Sequence, residues 1–109
     1  MPNYSKHDVI LVVYPFTDLS DTKIRPAVIV NAPHPSTDLI VVPLTSRTAA
    51  LLPGEFLLKD WRGAGLNVPS VVKRGLVTVQ HNLVMKIVGR LQAEDRILVE
   101  KSLRQWLGL

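Results

Sequence analysis

Two short polar segments lie beside apolar runs and could carry chemistry. Lys23-Ile24-Arg25-Pro26 precedes the run Ala27 to Val30, and Pro43-Leu44-Thr45-Ser46-Arg47 ends another run. The guanidinium of Arg25 is a planar, charged fork that suits phosphate, and the Thr45 hydroxyl can both donate and accept a hydrogen bond. Polar groups at strand ends can converge beside a rigid sheet. The alternative is a surface ion pair for Arg25 and ordinary turn hydrogen bonds after the second run.

Other chemistries find little support in the sequence. The 109 residues include no cysteine, which excludes disulfides, thiolate catalysis and thiolate metal ligands and fits a reducing cytoplasm. The three histidines, His7, His34 and His81, do not have the spacing of metal ligands. No nucleophile elbow, Walker loop or dinucleotide fingerprint occurs. The sequence therefore predicts neither a metal nor a cofactor.

Size and charge narrow the class of protein. A chain of 109 residues predicts one domain, residues 1–109. Hydrophobic residues make up 47% and charged residues 20%, which suggests that a second copy covers some apolar surface. A net charge of +4 favours anionic partners such as nucleic acid, although an ordinary basic protein would look the same. The N-terminus is polar, which argues against a signal peptide, and no apolar run reaches about 18 residues, so no membrane span is expected.

Short β-branched runs predict strands, and the C-terminal segment predicts a helix. The helix is expected over Ala93–Leu107, with Gly108 as its stop, because apolar residues recur at helical spacing. Its buried face is expected to hold Leu98, Val99, Leu103, Trp106 and Leu107. A loop is expected over Pro15–Lys23, a turn over Asp60–Asn67, and either a strand or a helix start over Ile87–Leu91. Strands are expected at Val9–Tyr14, Pro26–Asn31, Leu39–Leu44, Glu55–Leu58, Val68–Lys73 and Gly75–Val79.

This pattern of elements predicts a mostly β fold with a C-terminal helix. Many short strands followed by one helix favour a small, strongly bent, mostly antiparallel sheet or barrel. Pro43 lacks a backbone donor, which suits an edge strand or the end of a strand.

Four segments, in order, resemble the MazF/PemK family of bacterial toxins. They read HDVILVVYPFTDLSDTKIRPAVIV, VVPLTSR, SVVKRGLVTV and KIVGRLQAED, and together they cover most of the chain. The RPAVIV and PLTS pieces are the most specific. The resemblance implies a small SH3-like barrel of the CcdB/MazF type, with antiparallel strands and a C-terminal helix, that forms a homodimer.

The resemblance also implies an activity. Most members cut single-stranded RNA at short sequences, without a metal, leaving a 2′,3′-cyclic phosphate and a 5′-hydroxyl. The implied partners are an RNA substrate and a cognate antitoxin whose disordered tail occupies the RNA groove. The toxin–antitoxin complex is expected to bind DNA and to regulate its own expression.

The family motifs assign roles to individual residues. The arginine of the R-P motif and the threonine of the P-x-T-S motif carry the chemistry in the family, and these match Arg25 and Thr45. The match implies that Arg25 faces the phosphorane and that Thr45 holds a non-bridging oxygen. The residues expected to place the RNA or contact its phosphates are Ser20, Lys23, Ser46, Arg47 and Lys73. For Ser20 and Ser46 the alternative is plain turn hydrogen bonding.

Two departures from the family pattern leave the general base unassigned. Most relatives begin the first strand with glycine and an acid, where this chain has His7-Asp8. Relatives of the Kid type place an Arg-x-Asp pair where this chain reads Lys73-Arg74-Gly75. Arginine is a poor base at neutral pH, and Asp21 and His81 are distant candidates. A gyrase poison on the same fold and a decayed nucleic-acid-binding barrel are the alternative functions.

Overall fold

The computed structural model describes residues 3–14, 23–32, 34 and 38–109. These residues form seven antiparallel strands and one α-helix, joined by turns and loops. A 3₁₀ turn at His81–Leu83 precedes the last strand. The helix α1 spans Ala93–Leu107, as expected from its sequence, and ends at Gly108 in the left-handed conformation. The strands are β1 Asp8–Tyr14, β2 Lys23–Ile29, β3 Leu39–Thr45, β4 Phe56–Leu57, β5 Val71–Val72, β6 Val77–Val79 and β7 Val84–Arg90.

The strands form one sheet in the order β4-β5-β3-β2-β1-β7, with β6 paired to the first part of β3. Every pairing is antiparallel. Within the described ranges β4 and β7 are not paired with each other, so the sheet does not close into a barrel. The predicted mostly β, antiparallel fold with a C-terminal helix is confirmed.

Both faces of the central strands are buried. On one face Val9, Val28 and Val42 pack with Val99 and Leu103 of α1. A strand with both faces covered reads as a continuous apolar run, which explains why β1, β2 and β3 were recognisable from the sequence. The opposite face buries a second cluster of Ile10, Val12, Ala27, Ile29, Leu39, Val41 and Val79.

The structure begins β2 three residues before the expected start at Pro26. Lys23 pairs with Tyr14 of β1, and Arg25 pairs with Val12. The expected loop therefore does not include Lys23, and its residues 15–22 lie outside the described ranges. Residues 23–25 are exposed, so their side chains gave no apolar signal for a strand. Arg25 consequently lies within β2 rather than at its mouth.

Pro43 lies in an inner strand, at a position where its lack of a backbone N–H interrupts no hydrogen bond between strands. Lys73 N–H donates to the Pro43 carbonyl oxygen over 2.9 Å, so this side of Pro43 faces β5 and β6. In a strand the N and the C=O of one residue point to the same side. β6 pairs with β3 only as far as Val41, and β5 begins its pairing at Leu44. The absent N–H therefore points into the gap between these two short strands.

The remaining differences concern element length and the face of the helix. Residues 84–90 form a strand, which settles the ambiguity at Ile87–Leu91, and the strands near residues 68–79 are shorter than expected. Leu107 is 52% exposed, so its expected burial is wrong. Asp95 and Ser102 lie on the buried side of α1 instead. In the described part of the chain no helix is long and apolar enough to cross a membrane.

The Asp95 carboxylate should be a main stabilising contact of the helix. It is 0% exposed, and its two oxygens accept the backbone N–H groups of Lys59 and Asp60 at 2.9 and 3.0 Å. Asp95→Asn would turn an amide group toward one of these donors. We expect it to lower the free energy of unfolding by about 2–4 kcal/mol, measured by urea denaturation. The exposed neighbour Glu94→Gln is the control and should change stability by less than about 0.5 kcal/mol; an equal loss in both variants would contradict this role.

Candidate functional site

Arg25 and Thr45 lie on the same face of neighbouring strands. Ala27 of β2 is paired with Pro43 of β3. Because side chains alternate along a strand, continuing this register by two residues sets Arg25 against Thr45. Both are on the face that buries Ala27 and Val41, just beyond the end of that cluster.

A cleft of about 540 Å³ opens at this end of the sheet. It brings together five of the residues singled out in the sequence: Arg25, Thr45, Ser46, Arg47 and Lys73. These come from β2, from the end of β3 and from the loop after β5. The rest of the lining consists of Pro43, Leu44, Arg74, Gly75 and Val77.

One predicted RNA-binding residue with a described position, Lys23, is not part of this lining. Lys23 is exposed on β2, two residues before Arg25 and on the same face of the strand, but it does not line the cleft. Ser20 lies outside the described residues. The cleft therefore brings five of the seven predicted residues together, and the roles of all seven remain predictions.

The cleft is strongly cationic. Arg25, Arg47, Lys73 and Arg74 line it, and no residue of the described lining is acidic. The described lining therefore carries four positive groups, in a chain whose formal net charge is +4. Cationic clefts attract phosphates and focus the field on them. Arg74 was not among the predicted RNA-binding residues and was named only as part of Lys73-Arg74-Gly75, where the Arg-x-Asp pair of some relatives is absent.

The Thr45 hydroxyl has a defined orientation. Its oxygen accepts the backbone N–H of Arg47 over 3.1 Å, the usual turn contact of a threonine. With this lone pair occupied, the hydroxyl proton remains available for an acceptor in the cleft. The turn interpretation and the active-site interpretation of Thr45 are therefore compatible.

The candidate bases are not on the described lining. His81 packs edge-on against Tyr4, with ring centroids 5.4 Å apart, and does not line the cleft. Asp21 lies outside the described residues. His7, which was not a candidate base, also lies away from the lining and contacts Glu100 at 3.1 Å; burial lowers the pKa of His7, and the nearby carboxylate only partly offsets this. Among the residues with described positions, no group of three or more His, Cys, Asp or Glu side chains could hold a metal ion.

The antiparallel sheet with its C-terminal helix is similar in fold to solved structures of MazF-type toxins. The fold is similar to the Mycobacterium tuberculosis toxin MazF-mt6, with a TM-score of 0.74 and 23% identity over 94% of this chain and 97% of that chain. It is also similar to MazF from Deinococcus radiodurans, with a TM-score of 0.76 and 15% identity over 97% of each chain.

A third similar structure is a mycobacterial endoribonuclease in complex with its cognate antitoxin. Its TM-score is 0.78, and the identity is 15% over 98% of this chain and 97% of that chain. At these identities the likeness concerns the fold. Comparison with curated protein sequences gives no significant match.

The family model for PemK-like, MazF-like toxins of type II toxin–antitoxin systems matches residues 5–107. The chain therefore belongs to this family, and the resemblance found in its motifs is confirmed. The roles of the individual cleft residues remain predictions.

Proposed function

We propose that this protein is the endoribonuclease toxin of a type II toxin–antitoxin pair and cleaves single-stranded RNA at specific short sequences. The observation that carries the proposal is the placement of Arg25 and Thr45 across β2 and β3 in a cleft with three further cationic side chains. Family membership supports the same activity. An anionic, flexible polymer suits a cleft of this charge.

The proposed reaction uses the RNA's own 2′-hydroxyl as nucleophile. Its oxygen loses a proton and attacks the adjacent phosphorus, while the bond from phosphorus to the 5′-oxygen of the next nucleotide breaks. That oxygen takes up a proton. The products are a 2′,3′-cyclic phosphate and a 5′-hydroxyl, and no water is consumed in this step. The protein's task is to stabilise the charge that builds up on phosphorus and to assist the two proton transfers.

The cleft residues supply charge stabilisation in this scheme. Arg25 faces the phosphorane, where its fork can donate two hydrogen bonds. Thr45 donates a hydrogen bond from its hydroxyl to a non-bridging oxygen while the same hydroxyl oxygen accepts the backbone N–H of Arg47. Lys73 and Arg47 hold flanking phosphates, and Ser46 helps to place the chain. Carboxylate and imidazole ligands are missing from the described lining, so the proposal includes no metal ion.

Two protein partners belong to the proposal. A cognate antitoxin with an acidic segment would complement the four cations of the cleft and exclude RNA from it. A second copy of the chain would cover exposed apolar side chains of the sheet and its loops, among them Ile24, Val68, Met85 and Ile87. We place the protein in the cytoplasm, where its RNA substrate and its antitoxin are made.

A modified RNA tests the proposed chemistry. An RNA with one 2′-O-methyl group on the nucleotide 5′ of the scissile phosphate should bind the protein and resist cutting at that site, because the nucleophile is blocked. DNA of the same sequence should also survive. Cleavage of the unmodified RNA should persist in EDTA. The measurement is gel analysis of end-labelled RNA, with a site first located by cutting a long transcript.

Each outcome of this experiment bears on one part of the proposal. Cutting of the methylated RNA at its usual site would overturn 2′-hydroxyl attack. Loss of cutting in EDTA would overturn metal independence. A folded protein that binds no RNA would instead fit the non-nuclease toxin, and one that binds without cutting would fit the decayed barrel.

Arg25→Ala should lower the cleavage rate by roughly 10²–10³-fold, the usual effect of removing one transition-state charge partner. Folding should be preserved, because the side chain is exposed. Arg25→Lys should restore little activity, since a point charge does not reproduce the fork. Arg104→Ala removes an exposed charge from α1 and is the matched control. Near-normal single-turnover rates for Arg25→Ala would refute its role.

The proposed homodimer predicts a sedimenting mass of twice 12.1 kDa at low micromolar concentration. Apolar contacts should dominate the association, so the dimer should persist at about 1 M salt, where exposed ion pairs are screened. Analytical ultracentrifugation measures both. A monomer at all concentrations tested would contradict the proposed assembly.

A further inference from the structure

The Glu55 carboxylate joins two segments that are distant in sequence. One oxygen, Oε1, accepts the backbone N–H of Leu52 over 2.7 Å. The other, Oε2, accepts the backbone N–H of Arg74 over 2.8 Å. The side chain thus connects the segment before β4 with the loop between β5 and β6. Glu55 was expected from the sequence only as the start of a short strand.

The segment that carries Glu55 is held against the helix. Ser102 Oγ donates to the Gly54 carbonyl oxygen over 2.6 Å, and Trp106 Nε1 donates to the Pro53 carbonyl oxygen over 2.9 Å. Glu55 N–H itself donates to the Leu52 carbonyl oxygen. Because α1 packs on the core through Val99, the carboxylate extends from a fixed position.

The loop that receives this contact forms one wall of the cleft. Phe56 of β4 pairs with Val72 of β5, and this pairing ends there. The next two residues donate to opposite neighbours. Lys73 N–H donates to the Pro43 carbonyl oxygen of β3, and Arg74 N–H donates to the Glu55 carboxylate. The carboxylate therefore continues the contact between β4 and β5 beyond the last backbone pair.

We propose that Glu55 is a positioning residue that fixes residues 73–75 so that Lys73 and Arg74 face the cleft and bind RNA phosphates. The proposal rests on the ribonuclease function proposed above. Glu55 itself does not line the cleft and is not assigned any contact with RNA.

Because Glu55 carries a negative charge, the direction in which its neutralisation changes RNA affinity tests this role. Hydrogen bonds from the Leu52 and Arg74 amides hold the pKa of Glu55 below its ordinary value, with smaller contributions from the Lys73 and Arg74 charges, so the carboxylate is ionised at neutral pH. A negative charge beside a cationic cleft repels RNA. If Glu55 acted by charge alone, neutralising it would strengthen RNA binding. If it positions the loop, neutralising it should weaken binding.

Two variants separate geometry from charge. Glu55→Gln keeps the length but removes the charge and turns an amide group toward one of the two donors. Glu55→Asp keeps the charge but is one methylene too short to reach both donors. Glu94→Gln makes the same charge change at an exposed site that contacts Lys59 at 3.5 Å, and it serves as the control.

The probe is a random-sequence pool of single-stranded RNA that is 2′-O-methylated throughout, so that binding is measured without cleavage. We expect Glu55→Gln and Glu55→Asp each to weaken binding by roughly tenfold, as for the loss of a charge-assisted hydrogen bond. Glu94→Gln should stay within about twofold of the unaltered protein. Tighter binding by Glu55→Gln, with unchanged binding by Glu55→Asp, would overturn the positioning role.

The amide resonance of Arg74 gives a second measurement that needs no RNA. In the unaltered protein it should shift as Glu55 titrates, and in Glu55→Gln it should move and lose this titration. An unchanged Arg74 amide in Glu55→Gln would refute the contact, whatever the RNA result. If the unaltered protein does not bind the RNA pool, the proposed function fails and the RNA-positioning role with it, whereas the Arg74 titration would still show that the contact exists.

Discussion

The register of β2 against β3 is the constraint on which the candidate site depends. With Ala27 opposite Pro43, Arg25 and Thr45 fall on one face at the end of the sheet. A slip of one residue in β2 would turn Arg25 to the opposite face, away from the cleft and toward the side that packs on α1. It would also move Ala27 and Val28 between core clusters that are already filled. The packing that stabilises the sheet thus also fixes the relative position of the two predicted catalytic groups.

Polar side chains, rather than strand pairing, fix the parts of the site that the sheet does not reach. β4 and β5 have only two residues each, too few to orient the loop that follows them. At this point Glu55 receives the amide N–H of Arg74. Asp95 plays the same part for the turn after β4, whose residues Lys59 and Asp60 do not line the cleft. Hydrogen bonds to a carboxylate are stronger than those to a neutral acceptor and fix the direction of the donor. Such a contact suits the loop at residues 73–75, which must keep its conformation while a charged polymer binds.

Features that depend on neighbouring residues were predictable from the sequence, whereas features that depend on contacts between distant residues were not. The inner parts of β1, β2 and β3 and the bounds of α1 were predictable because local apolar periodicity and Gly108 define them. The start of β2 was missed because its exposed residues are ordered by pairing with β1, which leaves no local pattern. The burial of Ser102 was missed because its hydroxyl donates to the Gly54 carbonyl oxygen, a contact between residues 48 positions apart. Arg74 joins the cleft through Glu55, 19 positions away, which no local signal reveals.

The positions of the described carboxylates explain how four cations share a cleft whose described lining holds no acidic side chain. Several acidic side chains are directed to other partners within the fold. Asp95 and Asp60 accept backbone amides, Glu55 accepts two more, and Glu100 pairs with Lys6 over 2.7 Å. A carboxylate whose oxygens are occupied by amide donors competes poorly for a guanidinium. These described carboxylates therefore leave the guanidinium groups of the cleft able to bind an external anion, and phosphates are the anions whose geometry the fork of Arg25 fits.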